Sequence, residues 1–309
     1  HKGAEGERNM WPWTINATRV LRPRSFIFEN VPGLASRHAD YLEYLKMALT
    51  LPELANPTAD WREDSQFLRT CLDQNLRSVP TYRVSVAKLS AADYGTAQKR
   101  SRLFIIGIRD DIAREWEAPE ATHSAEQLMD DKWVTGAYWD RFGLARPDID
   151  DAGLRHLRRH NQRGTLDLFT PAVAAHRTVR DAIGNLPEAV AEGTRDISDH
   201  EAAPREARAY NGHTGSPIDD PSKTLRAGVH GVSGGENMVD YGEGAKGERY
   251  RHFTVREAAR VSGFPDDYVW PRTGDRSLDW GRGLKQLGNC VPTELAEAVG
   301  RSVARTITA

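Results

Sequence analysis

A carboxylate at the end of an apolar segment is the first feature of the sequence that could act on a ligand. Glu29 and Asn30 follow the run Ser25-Phe-Ile-Phe28 and precede Val31-Pro32-Gly33. In open α/β sheets, ligands bind at the carboxyl ends of strands, so an acid in this position can face a cleft. A carboxylate at a strand end also commonly caps the backbone or forms an ion pair, and that alternative stays open for Glu29 alone.

Two arginines and a glutamine precede a second apolar segment. Gln98, Arg100 and Arg102 alternate on their way into the run 103–108, and a period of two places all three on one face of a strand. Arginines that enter an apolar strand are costly unless they pair with acids or anions. The three side chains could therefore hold an anionic or strongly polar ligand, or form a structural ladder of salt bridges.

Two further segments lie near the end of the chain. Gln286–Pro292 contains Gly288 and Asn289, and a Gly-Asn turn before a helix can present an amide and backbone N–H groups to a polar ligand. A plain turn into the helix is the alternative. In the other segment, Thr254-Val-Arg-Glu257 predicts a capping box that starts a helix.

The elements that must position these residues alternate between helix and strand, which is typical of an α/β sheet domain. The pattern predicts helices at 10–21, 41–50, 65–75 and 293–307, and strands at 25–31, 82–89 and 102–109. We expect the first strand to be a buried parallel strand, and the other two to be an antiparallel pair. Residues 111–249 are richer in Gly, Pro, Asp and His, which indicates a smaller, loop-rich module inserted into the main domain.

The composition limits which binding partners are plausible but does not identify one. The 309 residues carry a net charge of −2, so DNA binding has to rest on a local basic patch. Such a patch contains Arg155, Arg158 and Arg159, although a solvated helix face would look the same. Two cysteines fit a reducing cytosol and argue against a Cys-rich zinc site, so we expect no metal. We also expect no membrane span, because no apolar run is long enough.

Together these segments resemble the DNA (cytosine-5) methyltransferase family in order, spacing and wording. Phe28-Glu-Asn-Val31 is similar to its Glu-Asn-Val motif, and Gln98-Lys-Arg-Ser-Arg102 to its Gln-x-Arg-x-Arg motif. Pro221–Leu225 resembles the Thr-Leu element of the recognition domain, and Gln286–Pro292 the closing Gln-x-Gly-Asn-x-Val-Pro motif. Arg251–Asp267 resembles the helix after the recognition domain, so the likeness covers nearly the whole chain.

The resemblance implies a fold and an activity. The fold would be a Rossmann-like class I methyltransferase α/β sheet with an inserted target-recognition domain. Residues 1–110 and 250–309 would belong to the catalytic domain, and residues 111–249 would bind double-stranded DNA. Such enzymes transfer a methyl group from S-adenosylmethionine to carbon 5 of a cytosine that is flipped out of a specific duplex sequence. The setting would be restriction-modification or epigenetic marking, in the cytoplasm at the nucleoid.

The resemblance also implies residue roles. Glu29 would be the catalytic acid with Asn30 supporting it, Arg102 would contact O2 of the base, and Arg100 would support the same site. Asn289 and Val291 would line the cofactor pocket. The residues implied to contact DNA are Gln98, Thr224, Arg155, Arg158 and Arg159.

The sequence departs from the family pattern at two motifs. The Phe-x-Gly-x-Gly cofactor loop and the Pro-Cys-Gln motif with the nucleophile do not occur in these 309 residues. We expect neither Cys71 nor Cys290 to replace that thiol, so the chain alone should be inactive. Three explanations stay open: a fuller enzyme of which this is the greater part, a split enzyme with a separate N-terminal half, or a non-catalytic DNA-recognition subunit. A cognate restriction endonuclease is a further possible partner. A Rossmann-type enzyme acting on a small metabolite would not need the inserted module.

Overall fold

A computed structural model describes residues 9–76, 80–112, 114–163, 173–190, 197–204, 206–211, 213–227, 235–242, 249–270 and 279–308. The helices are α1 (Trp11–Leu21), α2 (Gly33–Arg37), α3 (Ala39–Thr50), α4 (Trp61–Asp73), α5 (Ala125–Met129), α6 (Ala137–Arg141), α7 (Asp151–Arg163), α8 (Val179–Ile183), α9 (Val255–Val261), α10 (Trp280–Asn289) and α11 (Thr293–Thr308). The strands are β1 (Ser25–Asn30), β2 (Tyr82–Ser90), β3 (Ser101–Arg109), β4 (His123–Ser124), β5 (Ala174–Ala175), β6 (Ser216–Pro217), β7 (Met238–Asp240) and β8 (Tyr250–His252).

The chain divides into two compact units. Unit 1 comprises residues 1–89, 101–119 and 297–309, and unit 2 comprises residues 90–100 and 120–296. The sequence boundaries at 110 and 249 differ from this division. The reason is packing: Phe253, Val255 and Leu287 share one hydrophobic core with Val179 and Ile218, so 250–296 belongs with the middle of the chain.

Unit 1 is built around a three-stranded sheet in the order β1-β3-β2. Helix α3 places apolar residues three and four positions apart, so that Leu45 and Leu49 become fully buried. Helix α4 starts where the side chain of Asp60 accepts a hydrogen bond from the Arg62 N–H. The two helices and the sheet share one core, in which Leu68 and Ile105 are also fully buried.

The expectation of a buried parallel strand at 25–31 is wrong for the described part of the chain. β1 pairs antiparallel with β3, with Glu29 opposite Phe104 and Asn30 opposite Leu103. Only Phe26 of β1 is buried, and Ile27 is 43% exposed. An apolar run alone does not distinguish a central strand from one with a single neighbour, because both are rich in aromatic and branched side chains.

Unit 2 consists of short elements that are fixed largely by local capping. Helices α8 and α9 each start with a capping box, formed by Thr178 with Asp181 and by Thr254 with Glu257. β6, β7 and β8 form one small sheet, and β4 and β5 form another. A separate apolar cluster lies beside α6 and contains Leu128, Trp133, Tyr138 and Trp139.

Most of the predicted elements are confirmed. The predicted helices correspond to α1, α3, α4 and α11, and the predicted strands to β1, β2 and β3, with ends shifted by a few residues. β2 and β3 are neighbours in the sheet, as expected. The capping box at Thr254 is present, and its helix ends before Gly263, which has a φ of 85°. Among the described residues, every helix is too short or too polar to cross a membrane.

Candidate functional site

Glu29 and Arg102 form a close ion pair in unit 1. The Arg102 Nε donates to the Glu29 Oε1 at 2.6 Å. Antiparallel pairing of β1 with β3 produces this contact, because it sets Asn30 opposite Leu103 and brings the end of β1 beside the start of β3. The side chain of Arg102 is 9% exposed and that of Glu29 is 30% exposed. The carboxylate is therefore held by a guanidinium on one side and remains accessible from solvent.

Asn30 fixes the chain just after the acid. Its side-chain oxygen accepts a hydrogen bond from the Val31 N–H at 2.8 Å, which ends β1 and turns the backbone toward α2. A short Asx-type contact of this kind competes with continued strand pairing. This contact lies next to Glu29 in the chain, and the supporting role of Asn30 stays a prediction.

Arg100 has a different environment, although it lies only two residues before Arg102. It is 1% exposed and belongs to unit 2. Its Nη1 donates to the Leu225 carbonyl at 2.9 Å, and its Nη2 donates to the Gly288 carbonyl at 2.6 Å. Gly288 lies in the last turn of α10, where the helix dipole is negative and favours a cation. Arg100 therefore holds two distant segments of backbone together.

Three sequence motifs meet around Arg100, and we call residues 97–100, 222–227 and 286–289 the Arg100 cluster. Lys99 N donates to the Ser222 carbonyl and Ser222 N donates to the Ala97 carbonyl, both at 2.8 Å. The Thr224 hydroxyl donates to the Lys99 carbonyl at 2.7 Å. A Cβ on Gly288 would lie 2.2 Å from the Ala227 nitrogen, so the motif glycine permits a close approach of two backbones.

The predicted single face of Gln98, Arg100 and Arg102 is not formed, because β3 begins at Ser101 and only Arg102 lies in the strand. Gln98 is fully buried and its Nε2 donates to the Ser262 hydroxyl at 3.2 Å. A fully buried amide does not reach a DNA surface in this conformation. The structure thus gives Gln98 a place inside unit 2, where direct contact with DNA would require a rearrangement.

The two residues predicted to line the cofactor pocket flank the end of α10. Asn289 is exposed and its Nδ2 donates to the Lys285 carbonyl at 3.0 Å. Val291 is half-buried, two residues before α11 begins. The amide oxygen of Asn289 and the apolar side chain of Val291 suit a ligand that has both polar and aromatic parts.

The arginines predicted to contact DNA lie on α7. Arg155, Arg158 and Arg159 are all exposed along this helix. Few residues of α7 turn inward: Gly153 and His156 are buried and Leu157 is half-buried. The charge pattern of this helix pointed only to its arginines. It missed His156 and His160, whose spacing of four residues puts both on one face, where the structure brings Asp130 to them.

The cysteines fit structural roles. Cys71 lies in α4 and is 3% exposed within the core of unit 1. Cys290 is half-buried where α10 ends, and neither cysteine forms a disulfide. A nucleophilic thiol needs a positive and partly exposed environment, which the core position of Cys71 does not supply.

Comparison with known proteins gives a consistent result. A family model described as C-5 cytosine-specific DNA methylase matches residues 67–305. The Type II methyltransferase M.NgoPII of Neisseria gonorrhoeae is 26% identical over 73% of the chain and 56% of its own length. M.FnuDI of Fusobacterium nucleatum is 27% identical over 95% of the chain and 68% of its own length. The chain thus spans between about half and two thirds of these relatives.

One solved structure shows the fold. It is an E. coli prophage protein assigned as a DNA modification methyltransferase, with a TM-score of 0.50 and 16% identity over the whole of this chain and 77% of its own. The mixed α/β architecture of the chain is accordingly that of a Rossmann-like methyltransferase.

Proposed function

Because the chain belongs to the C-5 cytosine-specific DNA methylase family, we propose that it forms the greater part of a DNA cytosine-5 methyltransferase. The substrate is a cytosine flipped out of a specific sequence of double-stranded DNA, and the methyl donor is S-adenosylmethionine. The curated relatives quoted above are Type II methyltransferases, which favours a role in restriction-modification beside a cognate endonuclease in the cytoplasm. The observation that carries the proposal is the 2.6 Å contact between Glu29 and Arg102.

The reaction requires a group that adds to the ring and groups that stabilise the resulting charge. A thiolate adds to carbon 6 and makes carbon 5 nucleophilic. Carbon 5 then takes the methyl group, a base removes the carbon 5 proton, and the thiolate leaves. In the family a Pro-Cys-Gln motif supplies this thiol, and that motif does not occur in these 309 residues. The residues present here serve the other half of the chemistry.

Glu29 and Arg102 suit the polar edge of a cytosine. A glutamic acid can protonate or hydrogen-bond N3 and accept from the exocyclic amine, and a guanidinium can donate to O2. The Glu29 and Arg102 side chains already lie side by side. A bound base would therefore replace part of the contact between them, and neither side chain would need to be repositioned. Fixed donors of this kind stabilise charge that develops on the ring during thiolate addition. Arg100 holds the Arg100 cluster of unit 2 together.

S-adenosylmethionine would supply an electrophilic methyl group. The exposed amide of Asn289 and the adjacent half-buried Val291 fit a polar and an apolar part of that cofactor respectively. Gly288 determines where these residues lie, because its missing side chain lets the backbone approach Ala227. Asn289 and Val291 therefore bind and orient the cofactor in this proposal.

DNA binding is assigned to unit 2. Arg155, Arg158 and Arg159 are exposed on α7 and would contact phosphates, and Thr224 would contact DNA from the end of the recognition module. Contacts to phosphates release counterions, so the affinity for DNA should fall steeply as salt rises. A flat salt dependence would contradict this assignment.

The proposal is tested with Glu29→Gln in the full-length protein. Transfer of a labelled methyl group from S-adenosylmethionine to DNA should fall by roughly 10²–10⁴-fold, because a proton-transfer group is lost. DNA affinity should stay within about twofold, since a charge-neutral isostere replaces one partly exposed acid. Glu297→Gln is the matched control, because it also removes an exposed acid of unit 1 that pairs with an arginine.

Four outcomes separate the candidates. Loss of methyl transfer by Glu29→Gln with retained DNA affinity supports the proposal. Equal losses of transfer and affinity would refute the role of Glu29. DNA binding without any methyl transfer, restored by adding a separate polypeptide with the Pro-Cys-Gln motif, would identify a split enzyme. Binding that no such addition converts into transfer would identify a recognition subunit without chemistry of its own.

A further inference from the structure

We propose that Asp130, His156 and His160 form a binding site for a divalent transition-metal ion of the Zn²⁺ type, which fastens α7 to the rest of unit 2. The His156 Nε2 lies 2.7 Å from the Asp130 Oδ1, and the His160 Nδ1 lies 3.3 Å from the same oxygen. All three ligand atoms lie within 4.8 Å of one another. Among the described residues, no other group of three such side chains converges in this way.

The distances are close to those of a tetrahedral site. With bonds of about 2.0–2.1 Å to Zn²⁺, neighbouring ligand atoms are about 3.3 Å apart. The distance between the His160 Nδ1 and the Asp130 Oδ1 already has this value, and the distance between the His156 Nε2 and the same oxygen is 2.7 Å. Two imidazole nitrogens and one carboxylate oxygen are a ligand set that suits Zn²⁺ and its neighbours in the first transition row. A water molecule would complete the fourth position.

Burial differs across the three ligands in a way that suits an ion that enters from solvent. The His156 side chain is 5% exposed, the Asp130 side chain 25% and the His160 side chain 47%. A buried ligand keeps its orientation, whereas an exposed one can close over an ion after it arrives. The carboxylate also neutralises part of the charge of the ion, which matters beside the exposed arginines of α7.

The packing of α7 indicates what the ion would contribute. Gly153 of α7 packs so close to Trp133 that a Cβ at position 153 would lie 2.9 Å from its ring. Leu157 of α7 contributes one half-buried apolar side chain to the same cluster. A helix with so narrow an apolar face has little hydrophobic energy to hold it. Asp130 begins the π-helical turn Asp130–Val134, and His156 and His160 join α7 to that turn. An ion bound by all three would stabilise this junction, where the adjoining apolar cluster is small.

The alternative is a hydrogen-bonded cluster without a metal, in which the two imidazoles donate to one carboxylate. Titration with Co²⁺ distinguishes the two, because tetrahedral Co²⁺ absorbs in the visible range and Zn²⁺ displaces it. The purified protein should bind Co²⁺ with a dissociation constant of about 1 µM or lower, and Zn²⁺ should bleach the absorbance. Zn²⁺ should also raise the melting temperature, since it binds only the folded site.

The decisive variant is His160→Ala, which removes an exposed ligand. It should weaken Co²⁺ binding by roughly 100-fold or more, since loss of a ligand exceeds the effect of its supporting contacts. Asn161→Ala changes the next exposed position of α7 and should bind like the unaltered protein. Asp130→Asn keeps the shape and should also weaken binding, with circular dichroism confirming that both variants are folded.

Two results would overturn the proposal. One is the absence of saturable Co²⁺ binding by the unaltered protein. The other is equal affinity in His160→Ala, which would place the ion elsewhere, for example on the histidine at the N-terminus. Neither readout depends on methyl transfer, so the proposed function and this site can fail separately.

Discussion

Arg100 and Arg102 are separated by one residue, yet their environments are opposite. Arg102 pairs with Glu29, a carboxylate that remains 30% exposed, at the end of a strand in unit 1. Arg100 is buried in unit 2, where the contacts described above are to the carbonyls of Leu225 and Gly288. A carbonyl in a buried backbone has no alternative partner, whereas a partly exposed carboxylate can turn to water or to a ligand.

This difference indicates which arginine can take part in chemistry. A ligand can compete for Glu29 and Arg102 because the acid is accessible and part of the lost contact is replaced by solvation. Competition for Arg100 would take the donor away from the buried Leu225 carbonyl and the partly buried Gly288 carbonyl. The Glu29–Arg102 pair is therefore suited to binding, and the Arg100 cluster is suited to holding the fold of unit 2.

Arg100→Ala should have the largest effect on stability. Its removal leaves one buried and one partly buried carbonyl without this donor and opens a space for water, at a cost of about 3–5 kcal/mol. The change is measured as the shift of the urea unfolding midpoint. Arg155→Ala, an exposed arginine of the same unit, is the control and should change stability by about 0.5 kcal/mol or less.

Arg100→Lys refines the same comparison. An ammonium is a point donor and does not reproduce the fork that spans two carbonyls, so it should recover only part of the lost stability. Full stability in Arg100→Ala would mean that the contacts to Leu225 and Gly288 contribute nothing. In that case the contrast between the two arginines would be wrong.

Arg102→Ala should have a smaller effect on stability, of about 1–2 kcal/mol, because Glu29 can be solvated when its partner is lost. Its effect on function should be larger, since the proposed donor to O2 of the base is removed. Binding to duplex DNA at low salt should persist, while methyl transfer should fall strongly. A variant that loses as much stability as Arg100→Ala would show that the pair is structural and not poised for a ligand.

The sequence predicted well what depends on local pattern. The helices α1, α3 and α11 and the capping box of Thr254 with Glu257 follow from spacing within a few residues. Glu29 was expected at a strand end, and it lies there because the end of β1 is set by Asn30 and the turn after it.

The sequence did not predict what depends on distant partners. The carbonyls that bind Arg100 come from positions 125 and 188 residues further along the chain, which no local pattern encodes. The burial of Gln98 depends on Ser262, 164 residues away, for the same reason. The antiparallel pairing of β1 likewise depends on β3, because the sequence of a strand does not specify which other strand pairs with it. The proposed metal site was predictable only in part. The spacing of four residues between His156 and His160 is visible in the sequence, whereas the approach of Asp130 depends on the fold.

Burial also shifts the pKa of titratable groups, in a direction that depends on whether the group is an acid or a base. In unit 1, burial raises the pKa of Asp64 above its ordinary value of 3.8. In unit 2, burial lowers the pKa of His176 below 6.5, although the hydrogen bond to Asp93 partly opposes this shift. The pKa of His123 is also lowered, first by burial and then by the charges of His176 and Arg177. Burial disfavours the charged form in each case, so an acid and a base shift in opposite directions.

These shifts make the stability of the protein depend on pH, and the effect should be smaller than the stability losses expected for Arg100→Ala and Arg102→Ala. An unfolded chain protonates histidine near pH 6.5, before the buried His176 does, so acid favours the unfolded state. The stability that His176 contributes is present above about pH 6.5 and is lost as the pH falls through the lowered pKa of the folded state. For Asp64 the sign is reversed: the folded state binds the proton more readily, and stability falls as the pH rises above 3.8.

Melting temperatures measured from about pH 7.5 down to about pH 5 should therefore decline, and His176→Gln should make that decline shallower. Asp64→Asn should leave the slope in this range almost unchanged or make it steeper. An identical slope for His176→Gln and the unaltered protein would mean that burial of His176 does not contribute to the pH dependence.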